Sequence, residues 1–392
     1  MNEVRALVEA FDAANIRGER CALATVVSVE GSSYRRPGAR MLVCESGIGI
    51  GMTSTGTISA GCLESDVIEH AKRVLQTGAA KLVEYNTATT SDEEAWGLGL
   101  GCNGIVRVLV EPLASGSLYI EALRRSCEAA PDAAPISVAT VYQYASSTGV
   151  RLFIDEEGDV RHETMSGEMA AMLASEARAL ARGGVTSAAR VYDVDGVAAK
   201  VFIETLLPPV PLVIFGAGHD ALPVVELARE LGWRTEVVDP QARLASRSRF
   251  AIADRVTLSR PEDVGAHVRI TPRTMTLLMS HNYSQDLALL RFLLASPARY
   301  IGVMGPRKRT ERMLRELVAV EGMTRLHSPA GLDIGANGPA EIALSIVAEM
   351  RAVLNGRRGG LLRERRGSIH GSPADGECVT AAEERVRPGV AA

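Results

Sequence analysis

The chain has 392 residues, 46% of them hydrophobic, enough to bury more than one core, so two or more domains are expected. A formal net charge of -4 gives no basic footprint for nucleic acid, and no apolar run reaches the roughly 18 residues that span a bilayer. The Met1-Asn2-Glu3 start lacks the basic and apolar layout of an export signal, so a cytoplasmic protein is expected.

In chain order, Ala22 to Val29 and Arg40 to Val43 read as strands, rich in β-branched residues and bounded by glycine clusters. Between them lies a basic loop, Gly31 to Arg40, whose Arg35 and Arg36 can each fork two N–H groups onto phosphate or carboxylate oxygens. A solvated hairpin tip is the plainer reading of that arginine pair. Next comes Gly56-Thr57-Ile58-Ser59-Ala60-Gly61-Cys62-Leu63-Glu64, followed by apolar residues at helical spacing (Leu63, Val67, Ile68, Ala71, Leu75) and a stop at Gly78. A thiol at such a strand, loop and helix junction tends toward the thiolate, and the junction's backbone N–H groups can hold an anion. The Gly56 and Gly61 spacing imitates half of a phosphate-binding P-loop. Cys62 and Leu63 stand where that motif needs Lys and Ser or Thr, which argues against ATP hydrolysis.

Cys102 sits in Gly97-Leu98-Gly99-Leu100-Gly101-Cys102-Asn103-Gly104, a loop whose backbone can approach a ligand closely and which leads into the strand Ile105 to Val110. The six cysteines, Cys21, Cys44, Cys62, Cys102, Cys127 and Cys378, contain no C-x-x-C pair and no zinc-ligand spacing. Free thiols in a reducing compartment follow, with Cys21, Cys44 and Cys127 as inert packing or surface groups. Residues 116 to 205 read as a connecting α+β region: a helix from Leu118, strands Ser137 to Tyr142 and Val150 to Ile154, and a helix from Met169 to Arg182, with no visible chemistry. Val108 to Leu113 and Val201 to Leu206 echo each other, too little to establish a repeat.

After the linker Leu206-Leu207-Pro208-Pro209-Val210-Pro211 comes a strand, glycine turn, helix, strand and terminal acid series. In a dinucleotide-binding unit Gly216 makes the tight turn, Gly218 lets the backbone approach a pyrophosphate, and Asp239 accepts from a ribose hydroxyl. Further strands at Met275 to Met279 and Tyr300 to Val303 predict a doubly wound parallel sheet, with His281 near its ligand-binding edge. Pro339 opens a helix with the buried stripe Ile342, Ile346, Met350 and Val353, and residues 356 to 392 are expected to be a disordered tail.

Gly31-Ser32-Ser33 through Pro37-Gly38-Ala39-Arg40-Met41, Gly56 to Glu64, Gly99-Leu100-Gly101-Cys102, Gly216-Ala217-Gly218-His219 and Gly331-Leu332-Asp333-Ile334-Gly335-Ala336 together resemble the XdhC/CoxI family, over roughly residues 10 to 355. The resemblance implies an α/β protein: an N-terminal mixed α/β domain of that type (1–115), the connecting region (116–205) and a C-terminal Rossmann-like doubly wound parallel sheet (206–355). It also implies a chaperone without turnover of its own. Such a protein binds the molybdenum cofactor, shields it while a cysteine desulfurase supplies the terminal sulfido ligand, and passes it to an apo molybdenum hydroxylase of the xanthine dehydrogenase type.

The cofactor, molybdopterin or its dinucleotide form, is anionic and phosphate-bearing, which suits Arg35, Arg36, Gly56, Ser59, Gly61 and Gly101 as its receptor. Cys62 and Cys102 would contact the metal or transiently carry sulfur. Gly216, Gly218, His219, Asp239 and His281 would hold the nucleotide half, or a separate nucleotide such as NAD(P). Departures from the family pattern are Tyr34 for proline, Ala60 for glycine, and Asn282-Tyr283 for an acidic and histidine pair; the last weakens acid/base chemistry in the rear domain. Two alternatives stand beside this reading: an NAD(P)-dependent oxidoreductase using the Rossmann domain, and a partner-binding scaffold. A homodimer is the expected assembly.

Overall fold

The computed structural model describes residues 2–46, 51–86, 104–145, 147–241, 247–317, 322–364 and 385–386. The chain divides into two compact units, one built from residues 3–128 and 133–208 with the strand at 385–386, the other from residues 209–364 with residues 2 and 129–132.

The front unit opens with helix α1 (Asn2–Ile16) and continues as β1 (Cys21–Gly31), β2 (Arg40–Glu45), β3 (Met52–Gly56), α2 (Glu64–Thr77), β4 (Lys81–Asn86) and β5 (Gly104–Leu113). These strands form an antiparallel sheet in the order β3-β2-β1-β5-β4. One face of β1, through Ala22, Ala24 and Val26, packs with Val67, Ala71 and Val74 of α2. Gly78 ends α2 at φ 70°, the left-handed stop that its position predicts.

Residues 116–205 are not a connector. They repeat the same plan: α3 (Leu118–Glu128), β6 (Ile136–Gln143), β7 (Val150–Ile154), β8 (Val160–His162), α4 (Gly167–Arg182), β9 (Ser187–Val194) and β10 (Val197–Leu206). Their strands order as β8-β7-β6-β10-β9, which is the front order with each strand replaced by its counterpart. The registers agree as well. Thr25 stands opposite Arg40 and Leu109, and Thr140 opposite Arg151 and Phe202. Leu23 stands opposite Leu42 and Glu111, and Val138 opposite Phe153 and Glu204. The faint echo between Val108–Leu113 and Val201–Leu206 is therefore the visible end of a duplicated topology, β5 matched with β10.

The two sheets bury matched side chains against each other. Val27, Leu109, Tyr142 and Phe202 form one cluster, in which Val27 and Tyr142, and Leu109 and Phe202, occupy equivalent positions in the two halves. Beside it two ion pairs cross between the sheets. Arg40 of β2 pairs with Glu204 of β10, their side chains 9% and 5% exposed, and Arg151 of β7 pairs with Glu111 of β5 at 6% and 8%. Tyr119 of α3 joins both: its hydroxyl donates to Glu204 and accepts from Arg40, and the Arg151 guanidinium lies 4.2 Å from its ring centre.

Cys21 and Cys44 form a disulfide across β1 and β2, with Cα atoms 4.1 Å apart, which corrects the expectation of two free thiols. Antiparallel pairing sets residues 23 apart in sequence directly opposite one another, a proximity that cysteine spacing does not reveal. Cys62 and Cys127 are free.

The rear unit is a parallel six-stranded sheet in the order β13-β12-β11-β14-β15-β16. Its strands are β11 (Pro211–Phe215), β12 (Arg234–Asp239), β13 (Arg255–Leu258), β14 (Met275–Leu278), β15 (Tyr300–Val303) and β16 (Leu326–His327). Counted within the unit, the order is 3-2-1-4-5-6, that of a Rossmann sheet. Leu212 and Ile214 face α5 (Ala221–Glu230) and the C-terminal helix (Pro339–Leu354), while Val213 and Phe215 face the helix Tyr283–Ala295 on the opposite side. The sheet is doubly wound, as expected. Of the segment 356–392, only 356–364 and a two-residue strand, Arg385–Val386 beside β9, are described; the remainder of the expected tail lies outside the described residues.

Glu204→Ala leaves Arg40 buried without its carboxylate and is expected to lower the unfolding free energy by about 3–5 kcal/mol. Replacing both partners, Arg40→Met with Glu204→Leu, should return stability to within about 2 kcal/mol of the unaltered protein. Chemical denaturation followed by circular dichroism reads both; a single variant as stable as the parent would show that the pair is not desolvated.

Candidate functional site

Register brings the ends of all five strands together at one edge of the front sheet. Gly31 pairs with Gly104, Asn86 with Ile105 and Met41 with Gly56, so loops 32–39 and 57–63 leave the sheet side by side, and β4 and β5 end at the same edge. Arg35, Arg36, Gly56, Ser59, Gly61 and Cys62 thereby share one edge. Gly101 and Cys102 lie outside the described residues. Gly56 has φ 83°, and a Cβ there would stand 2.5 Å from the carbonyl oxygen of Arg40, so only glycine lets the two loops approach this closely.

The helix begins one step later than its sequence suggests, at Glu64, with Leu63 as the capping residue and Cys62 just outside it. Cys62 is half-buried and packs against the front core. The amides expected to receive an anion already have one, supplied by the chain. Glu64 Oε1 accepts from the backbone N–H groups of Ile58 (3.3 Å) and Ser59 (2.9 Å), and Oε2 from the Ser59 hydroxyl and the Leu63 N–H (3.2 Å). Ser59 Oγ in turn accepts from the N–H groups of Gly61 and Leu63. Burial works against the charged carboxyl, but the hydrogen bonds from Ser59 and the loop amides outweigh it and hold Glu64 below the usual carboxylate range.

Arg35 is also engaged. Its guanidinium forks onto the Glu3 carboxylate of α1, Nη1 to Oε1 at 3.0 Å and Nη2 to Oε2 at 2.5 Å. These hydrogen bonds, opposed by burial and aided by the charges of Glu3, Tyr34 and Glu64, raise Arg35 above its ordinary value. Burial alone lowers Arg36.

The two carboxylates are held with different strength. Hydrogen bonds to a charged group contribute roughly 1.5–3 kcal/mol each, and Glu64 makes several within a short loop. An ion pair open to solvent contributes about 0–1 kcal/mol, and the Glu3 side chain is 64% exposed.

In the rear unit, Gly216, Gly218 and His281 meet where the strand order reverses, between β11 and β14. Gly216 has φ 114°, and a Cβ on it would stand 2.5 Å from the carbonyl oxygen of Met279. His281 reaches over the turn with its backbone at φ 58°, its Nε2 3.6 Å from Asp220 Oδ2, and His219 is exposed beside it. Asp239 is the last residue of β12, the position expected of a ribose-binding acid, and it also bonds within the protein. It is 5% exposed, and its oxygens accept from the N–H groups of Ala217 (2.9 Å) and Gln241 (2.8 Å), so it braces the glycine turn. Asn282 caps the helix Tyr283–Ala295 by accepting from Gln285 N–H at 3.1 Å.

Sequence reasoning missed Glu3, Arg40, Glu204 and the role of Glu64. An acid in the first turn after a Ser-containing loop is a capping signal that could have marked Glu64. Glu3 and Glu204 carry no local signal, being 32 and 164 residues from their partners. Among the described residues no group of three or more His, Cys, Asp and Glu is arranged to hold a metal ion, and no helix is long and apolar enough to cross a membrane.

Fold and site define a two-unit α/β protein: an anion-oriented, thiol-bearing sheet edge in one unit and a Rossmann sheet in the other. The chain belongs to the XdhC and CoxI family. Residues 16–86 match the XdhC and CoxI family itself and residues 212–350 the XdhC Rossmann domain. A Bacillus subtilis protein described as a probable xanthine dehydrogenase subunit is 30% identical over 332 residues, 85% of this chain and 92% of its own length. The Escherichia coli protein YqeB, uncharacterised, is 34% identical over 174 residues, 43% of this chain and 31% of YqeB. A crystal structure of a Bacillus halodurans protein described as a xanthine dehydrogenase superposes with a TM-score of 0.72 at 30% identity, covering 90% of this chain and 97% of that one.

The depressed Glu64 pKa carries a pH signature. Because the folded value lies below the unfolded one, the carboxylate's contribution is complete above the ordinary glutamate range, about pH 4.3, and is lost as pH falls through the folded value. Amide exchange protection at Ser59 and Leu63 should therefore fall on acidification. In Glu64→Gln it should be reduced already at neutral pH and change little with acid, which nuclear magnetic resonance exchange measurements would read.

Proposed function

We propose that this chain is an accessory protein for the maturation of a molybdenum hydroxylase of the xanthine dehydrogenase type, carrying the molybdenum cofactor as cargo at the front-sheet edge. The observation that carries the reading is the convergence of Arg35, Arg36 and the half-buried Cys62 thiol on one edge. Guanidinium groups suit the phosphate of molybdopterin, and a soft sulfur ligand suits a metal already held by a dithiolene. Cys102 is proposed as the second thiol, given that β4 and β5, which bound its segment, end at the same edge. In this role the protein shields the cargo while a cysteine desulfurase renews its sulfido ligand, then passes it to the apo-hydroxylase.

A second reading concerns the rear unit. The 3-2-1-4-5-6 order and the glycine turn at the reversal point favour a nucleotide there, either the nucleotide half of a dinucleotide cofactor or NAD(P) serving an oxidoreductase. The engagement of Asp239 with Ala217 and Gln241 counts against ribose recognition of the usual kind.

Protein purified without air from cofactor-producing cells is expected to carry molybdenum and a pterin recoverable as its oxidised fluorescent form. Cys62→Ala should lower the bound molybdenum about tenfold, and Cys62→Ala with Cys102→Ala should abolish hydroxylase maturation. Metal-free, pterin-free protein together with intact maturation by the double variant would overturn the proposal. Fluorescence titration with NADH and NADPH separates the second reading: binding with turnover of a carbonyl substrate would establish it.

A further inference from the structure

We propose that Glu3 is a built-in carboxylate competitor of the front-sheet edge, one that raises the affinity an anion needs before it can occupy Arg35. The inference rests on the reading that this edge receives a phosphate-bearing ligand, and adds what an arriving anion must displace.

Glu3 lies in the first turn of α1, and its carboxylate meets the Arg35 guanidinium fork to fork, Oε1 on Nη1 and Oε2 on Nη2. A phosphate engages arginine through the same two parallel N–H bonds. The Glu3 carboxylate therefore occupies the position and geometry that a phosphate would take. The two acidic groups of this edge behave differently when a ligand arrives. Glu64 is tied to the backbone of Ile58, Ser59 and Leu63 and to the Ser59 hydroxyl, all within its own loop, so leaving would strand several donors. Glu3 accepts from Arg35 at the end of a side chain that is 64% exposed, and it can turn into water without stranding a buried group on α1.

Displacement then sets a threshold that a ligand clears by its own affinity for Arg35. A ligand carboxylate would replace Glu3 like for like: one negative charge and two oxygens leave, and the same number arrive. A phosphate brings up to two charges and three terminal oxygens, so it gains over Glu3 where a carboxylate does not. The Arg35 side chain is 24% exposed and less hydrated than a free guanidinium, which sharpens the contrast.

The test uses inorganic phosphate and acetate as probes, titrated by calorimetry into the full chain and into Glu3→Gln, Arg35→Gln and the double variant, with Glu3→Ala as a second removal of the carboxylate. The unaltered protein should prefer phosphate over acetate by about tenfold or more. Glu3→Gln and Glu3→Ala should tighten phosphate and acetate by a similar factor, up to about fivefold, and leave the preference itself to Arg35. Arg35→Gln should lose phosphate binding, and Glu3→Gln should add nothing in that background. If both Glu3 variants keep both affinities within about twofold while Arg35→Gln loses phosphate, the competitor role is overturned and the edge remains a phosphate receptor. If Arg35→Gln binds phosphate as the parent does, or the parent binds none, the underlying reading falls and this inference with it.

Discussion

Two arginines enter the space between the sheets of the front unit, and the sheets can close only because each arginine meets a carboxylate carried by the opposite sheet. Arg40 reaches Glu204 and Arg151 reaches Glu111, with Tyr119 hydrogen-bonded into one pair and stacked on the arginine of the other. Transfer of an unpaired charge to such an interior is prohibitive, so neither sheet satisfies its own interior alone. The exchange is reciprocal because the halves share one topology and one register. This arrangement fixes the functional edge. Arg40 is the first residue of β2, directly after the basic loop, and its carbonyl packs against Gly56, where the thiol loop begins. The two loops are thus anchored at the point where the sheets are clamped.

At that edge the chain provides its own anions. The Glu64 carboxylate is an integral part of the thiol loop: it accepts from the loop amides of Ile58 and Ser59 and from the capping Leu63, on either side of Cys62. The Glu3 carboxylate is a guest on Arg35, held from a separate helix and open to water. Both acids thus supply counter-charge or hydrogen-bond acceptors to this edge from within the chain.

The Rossmann unit presents a contrast between backbone and side chain. Its glycine turn has the backbone geometry of nucleotide-binding sheets, with Gly216 pressed against Met279. The acid at the end of β12, however, is buried and accepts from Ala217 of that turn through one oxygen and from Gln241 through the other. The His281 imidazole, on the loop after β14, lies 3.6 Å from Asp220 beside the turn.

Much of this was determined by sequence alone, because it depends on local pattern. The helix α2 and its stop at Gly78, the parallel strands with Gly216 at the turn, and the membership of Arg35, Arg36, Ser59, Gly61 and Cys62 in two loops all follow from spacing and turn chemistry. Tertiary structure alone decided what lies opposite what. The Cys21–Cys44 disulfide, the duplication of the first half in residues 116–205, and the partners of Arg35 and Arg40 all depend on strand register and sheet packing, which bring together residues from 23 to 164 positions apart. The physical reason is that a charged side chain announces its need for a counter-charge in any sequence, whereas the identity of the partner is settled only when burial removes water as the alternative. Glu64 lies between these cases: its place in the first turn was legible, but its capture of the loop amides was decided by how tightly residues 57–63 fold back upon it.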